Sequence, residues 1–250
     1  MSQNRTDRVQ MQWAQVLRDI HEQVNALLLN RHIFRTVQEI FRHNRHLKYP
    51  PGLFSRWTQT VYGVANAIAV RRLAGQSPGK NDVSLIRLLD LMIPDADVLW
   101  KLFERHYRTE SIAALAKVKA SSFDERHSHL AACKRLIGED RKRLLKVAEK
   151  AVHFADKRAA HMNPTVKVRT TFGDLDESIE TVKTITEKYL LLVHDEKHNL
   201  CEEMRPQSGW EKLFLEPWAT QAILDLPLGD MTPPREPARA RPKRLSSSFT

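Results

Sequence analysis

The stretch VAEKAVHFADKRAAHMNP, residues 147–164, gathers Asp156, Lys157, Arg158 and His161 within about two helical turns. On a continuous α-helix Lys157 and His161, four apart, share a face, and Arg158, three before His161, borders it. A histidine beside fixed cations has its neutral form favoured, which suits a general base. The cations can hold a phosphodiester and stabilise charge as it builds during transfer. Metal-free RNA cleavage needs such a set: a base for the 2′-hydroxyl proton, an acid for the leaving oxygen, and cationic support. A plainer reading stands beside it, in which Lys, Arg and His near a helix C-terminus simply complement the helix dipole.

Other chemistries find less in the chain. GQSPGK (75–80) is the closest approach to a phosphate loop, but no strand precedes it. His194 and His198 are four apart and can share a helical face, yet Asp195 follows the first and no third ligand is specified. His127 and His129 read as part of a charged helix start, and His43 and His46 as a solvated basic end. No Gly-x-Ser-x-Gly elbow occurs, and neither Cys133 nor Cys201 sits in a nucleophile signature. No metal and no cofactor are expected.

The bulk numbers set the frame. In 250 residues only 8 are Gly, while Ala, Leu, Arg, Lys and Glu abound, which favours helices over turns and strands. The net charge of +10 suits a polyanionic partner. It is partly local: from Met231 onward, Arg235, Arg239, Arg241, Lys243 and Arg244 stand against Glu236 alone. Two cysteines make no disulfide framework and fit a reducing compartment. The start carries no apolar signal core, and no run reaches the ~18 apolar residues of a membrane span. A cytoplasmic protein without membrane contact is expected.

The elements that must position the cluster follow from apolar spacing. Trp13, Val16, Leu17, Ile20, Val24, Leu27 and Leu28 mark an amphipathic helix. Ile33 to Phe41 gives a second helix or a continuation, and Tyr49-Pro50-Pro51-Gly52 ends it. A helix over about 53–74 shows a stripe of Phe54, Trp57, Val61, Tyr62, Ala65, Ile68 and Ala69, with Arg71 and Arg72 at its end. Asp82 can cap VSLIRLLDLM (83–92), and another helix follows from about Asp95 to Tyr107. The segment 109–122 reads equally as a short helix or a loop. A long helix from near Phe123 then carries Leu130, Cys133, Ile137, Leu144, Leu145, Ala148, Val152, Ala155 and Ala159, with Gly138 a candidate break and Asn163-Pro164 the stop. TVKVRTTF (165–172) alternates like an extended segment. Asp174 with Glu177 looks like a capping box ahead of Leu175, Ile179, Val182, Ile185, Tyr189, Leu192 and Val193. A terminal helix includes Trp210, Leu213 and Phe214. The expected architecture is all-α, a bundle of seven or eight helices over 1–226, with a disordered basic tail at 227–250.

Several segments together resemble the HEPN superfamily, and most closely its abortive-infection-U-like bacterial branch. They are FRTVQEIFRHN (34–44), FSRWTQTVYGVANAIAVRR (54–72), VSLIRLLDLM (83–92), FADKRAAHMNP (154–164) and GWEKLFLEPW (209–218). The resemblance implies an all-α bundle that dimerises, and RNase activity in phage defence or toxin–antitoxin systems. It also implies RNA as a partner and an antitoxin as a second one. Active members carry an Arg four to six residues before a His. Here His161 matches the His, but the position five before it is Asp156, and Lys157 follows. Either Lys157 or Arg158 supplies the positive charge, or the site binds RNA, nucleotide or a partner protein without cutting. Arg35, Arg71 and Arg72 are further candidate contacts to phosphate. A third reading leaves binding to the basic tail. If His161 is the acid or base, His161→Ala abolishes RNA cleavage while circular dichroism shows unchanged helical content; retained cleavage removes His161 from the chemistry.

Overall fold

The run of apolar residues from Val9 to Phe41 makes one helix, not two. Trp13, Leu17, Ile20, Val24 and Leu27 are buried along it at steps of three and four. In the computed structural model, which describes residues 2–43, 53–75, 83–109, 129–159 and 170–194, α1 runs unbroken over Ser2–His43. Its 42 residues span about 60 Å at 1.5 Å per residue.

Five more α-helices follow: α2 (Leu53–Ala74), α3 (Leu85–Met92), α4 (Ala96–Thr109), α5 (His129–Phe154) and α6 (Phe172–His194). A π-helical segment, Ala155–Ala159, continues directly from α5. The described residues are thus all-helical, without a strand, and no helix among them is long and apolar enough to cross a membrane. All of them fall in one unit, Met1–Pro206. The segments 110–128 and 195–250 lie outside the described residues, and with them the expected terminal helix, the 226/227 boundary and the basic tail. So do 160–169, which hold the Asn163-Pro164 stop and most of the expected extended segment.

Caps are set by residues close to those expected. Ser84, not Asp82, is the N-cap of α3, and its hydroxyl accepts from the Arg87 amide at 3.1 Å. The capping box of α6 lies three residues earlier than the expected Asp174–Glu177 pair. Thr171 Oγ1 accepts from the Asp174 amide at 3.1 Å, and the Asp174 carboxylate accepts from the Thr171 amide at 2.9 Å. Gly138 does not break α5, which passes through it with open space beside its Cα. Leu130, expected in the α5 stripe, is exposed, and residues 123–128 lie outside the described set.

Three antiparallel contacts organise the bundle. α1 and α6 pair through Gln10 Nε2 to the Val193 carbonyl at 2.8 Å, Arg31 to Glu180 at 3.1 Å and Arg35 to Asp176 at 3.0 Å. α1 and α2 meet through the stacked rings of Phe34 and Tyr62 and the edge contact of Phe41 with Phe54. α5 and α6 are tied most firmly. The buried Asp140 carboxylate accepts from Lys188 Nζ at 2.7 and 2.9 Å and from the Tyr189 hydroxyl at 3.1 Å. Burial raises the Tyr189 hydroxyl well above its ordinary pKa, with Asp140 adding to the effect, so it stays a donor.

The stripe expected on α2 is rotated. Tyr62, Ala67, Val70, Leu73 and Ala74 are buried, with Asn66 among them, whereas Phe54, Trp57 and Val61 are 44%, 58% and 46% exposed. The helix carries apolar side chains on more than one face, and spacing alone does not say which face finds a partner.

A buried carboxylate stripped of its cation is costly. Lys188→Met is therefore expected to lower stability in urea unfolding by about 3 kcal/mol, and adding Asp140→Leu to recover part of the loss. A double variant no more stable than Lys188→Met would show that packing, not the ion pair, sets the cost.

Candidate nucleic-acid interface

The end of α5 departs from α geometry where the sequence concentrates its chemistry. Ala155–Ala159, sequence ADKRA, winds as a π-helix, whose i→i+5 hydrogen bonds widen the turn. Lys157 and His161 share a face only under α-helical winding, and that winding stops at Phe154. His161 lies outside the described residues. Lys157 is exposed on the π segment, and of Arg158 only the backbone is described.

An arginine from a distant part of the chain meets this segment. Arg71, in the last turn of α2, donates from Nε to the Asp156 carboxylate. The helix end that presents it is built tightly. The Gly75 amide donates to the Arg71 carbonyl at 2.8 Å, and a Cβ on Gly75 would stand only 2.6 Å from that oxygen. Only glycine lets the chain leave α2 this closely. Arg72, next in sequence, is exposed. Both partners of the Arg71–Asp156 pair are well exposed, with side chains at 50% and 39%, so salt screens it and its contribution to stability is about 0–1 kcal/mol.

The start of the π segment is held from the other side by α6. Lys150, one turn before it, donates to Asp174 at 2.6 Å, and the Ser178 hydroxyl, shared with the Asp174 carbonyl at 2.7 Å, reaches the Val147 carbonyl at 3.2 Å. Asp174 is therefore shared between its own helix cap and α5. Hydrogen bonds from Lys150 and then Thr171 hold its carboxyl down to about 2. The Lys150 ammonium is raised in turn by the same contact.

The remaining sequence candidates sit elsewhere. Arg35 donates to Asp176 on the α1–α6 seam rather than joining the π segment's ion pair. His129 stacks face to face on Trp100, centroids 3.9 Å apart and planes within 6°. His198, His127 and His46 lie outside the described residues. Among the described residues no group of three or more His, Cys, Asp or Glu is placed to hold a metal. Cys133 is buried, which pushes its thiol up to about 12 and makes it a poor nucleophile.

Sequence spacing brought Asp156, Lys157 and Arg158 together and nominated Arg71 separately, but not their meeting. No local signal joins residues 85 positions apart, and the ion pair is legible only in the fold. The contact is thus spatial rather than linear: Arg71 of α2 meets Asp156 of the π segment, and their chain neighbours Arg72 and Lys157 are exposed. Compared with family models, curated proteins and solved structures, the chain finds no match.

Asp174 is anionic in the folded state down to about pH 2, against an ordinary value of 3.8. Its depressed pKa contributes stability that is complete above 3.8 and lost as pH falls through about 2. Thermal melts of wild type and Asp174→Asn should therefore differ at neutral pH and converge across that window. A constant difference down to about 2 would show that the contacts do not depend on ionisation.

Proposed function

We propose that the chain is a HEPN-like protein of bacterial abortive-infection or toxin type that binds RNA at the junction of α2 and the π segment. One observation carries the reading most: the guanidinium of Arg71 stands at Asp156, five residues before His161, where the linear pattern has a carboxylate instead of an arginine. An arginine from α2 thus stands at the one position where the family pattern has an Arg and this sequence has Asp156. The exposed Arg72 and Lys157 add to it, and the net charge of +10 favours a polyanion.

In its stronger form the proposal is a metal-independent endoribonuclease. His161 would move the proton, Lys157 and Arg158 would hold phosphate, and two copies would meet as a homodimer. A second reading, a module that binds nucleotide or a partner protein without cutting, draws on the same ion pair. Arg71 is committed to Asp156, and a guanidinium so engaged is less available to a phosphodiester.

Incubating the purified protein with total RNA in EDTA separates the two. Cleavage supports the nuclease, binding without cleavage supports the module, and the absence of both overturns RNA as the partner. Two variants test the site itself. Asp156→Asn removes a negative charge and releases Arg71, so RNA affinity should rise several-fold at low salt and the gain should shrink as salt increases. Lys157→Ala should weaken binding and reduce the slope of log K against log salt by about 1. Unchanged affinity and slope in both would remove this surface from RNA binding.

A further inference from the structure

The outer face of α5 is made almost entirely of charge. From Lys134 to Lys150 every exposed residue is charged except Gly138. Lys150 is taken by Asp174. That leaves Lys134, Arg135, Lys142, Arg143 and Lys146 exposed against Glu139 and Glu149. Arg135, Lys142 and Lys146 recur at i, i+7 and i+11, so they share one face of a regular α-helix over about 16 Å. Arg143, three before Lys146, borders that face.

Charges on the neighbouring helices are answered within the fold. Asp174, Asp176 and Glu180 of α6 each meet a cation from another helix, Lys150, Arg35 and Arg31. Arg141 of α5 meets Asp90 of α3. Among the described residues no carboxylate pairs with Lys142, Arg143 or Lys146, although Glu139 and Glu149 lie three or four residues from them. A cationic face left unanswered suits an anion from outside, and its make-up narrows the choice. A protein interface buries an apolar core, and a helix lying on a membrane inserts apolar side chains. The exposed residues of this face supply neither. Nor does α5 carry an aromatic side chain between 134 and 150 on which an unpaired base could stack. A phosphodiester backbone needs only the charge, and base-paired RNA is recognised largely through that backbone.

We propose that the outer face of α5 binds the phosphate backbone of base-paired RNA, with Lys142, Arg143 and Lys146 as its contacts. This rests on RNA as the partner, as read above, and adds the structural class of that RNA and a surface distinct from the α2–π junction. Contacts of this kind hold and orient a duplex without reading its sequence.

Fluorescence anisotropy with the full-length protein makes the test, using an RNA duplex and one of its strands across a salt series. Combining Lys142→Gln, Arg143→Gln and Lys146→Gln should lower duplex affinity about tenfold at low salt and reduce the slope of log K against log salt by about 3. The loss for the single strand should be smaller. Combining Arg8→Gln, Arg18→Gln and Arg56→Gln makes the same charge change on exposed residues of α1 and α2 and should leave the slope unchanged. Glu139→Gln should raise duplex affinity, a gain that a misfolded variant does not produce. An unchanged slope in the α5 variant, equal losses in the two triple variants, equal losses for duplex and single strand, no gain from Glu139→Gln, or displacement of the duplex by poly-glutamate of matched charge would each overturn the proposal. The α2–π junction fails separately, when Asp156→Asn and Lys157→Ala leave binding unchanged while the α5 variant lowers it. A wild-type protein that binds neither RNA overturns both.

Discussion

A carboxylate with almost no solvent fixes the register of this bundle. Asp140 is 5% exposed, and an ion so buried is tolerated only where its charge and lone pairs are answered. Lys188 and Tyr189, adjacent on α6, do this together. Hydrophobic contacts between helices tolerate sliding, because one leucine replaces another. A two-pronged contact to a single carboxylate does not. Once Asp140 is met, α5 and α6 can pair in only one way, and Val147–Ser178 and Lys150–Asp174 follow as consequences of that alignment. The π segment is thereby delivered to a defined place at the end of α5, where the last turn of α2 arrives.

Charge is used differently at the two ends of this arrangement. The Asp140 group is enclosed, so it specifies structure and responds little to salt. The Arg71–Asp156 pair is exposed, so it is weak and exchangeable. A surface pair of this kind opens and closes at small cost. The α1–α6 seam lies between these limits: Arg31 is 9% exposed and Arg35 largely open. Burial raises the Glu180 carboxyl, but hydrogen bonds from Lys183 and Arg31 outweigh it and leave it below its ordinary range.

How much of this could be read from the sequence depended on how local each cause was. The α6 stripe was largely legible, because Leu175, Ile179, Val182, Ile185, Tyr189, Leu192 and Val193 fall on one face and are buried, although Leu190 and Leu191 outside that stripe are buried as well. The α2 stripe was not. Phe54, Trp57 and Val61 are as apolar as Val70 and Leu73, and the choice between faces was made by the approach of α5 and α6. Cap positions were legible to within three residues, since Thr171, Asp174 and Glu177 offer overlapping spacings. The π turn left no compositional mark, because ADKRA is an ordinary helical string. The Arg71–Asp156 contact required the fold itself.

The unbroken course of α1 has a consequence for how the domain comes apart. Its first half packs on α6 and on the end carrying α3 and α4, through Gln10 with Val193 and Arg5 with Asp95. Its second half holds α2 through the stacked rings of Phe34 and Tyr62. A seam is a loop along which one subdomain can open while the other stays shut. Here a single rod of about 60 Å belongs to both halves, so neither can be released without unpacking an element the other needs. The described core should therefore behave as one cooperative unit, with its slowest-exchanging amides along the middle of α1, where both halves have a claim on it.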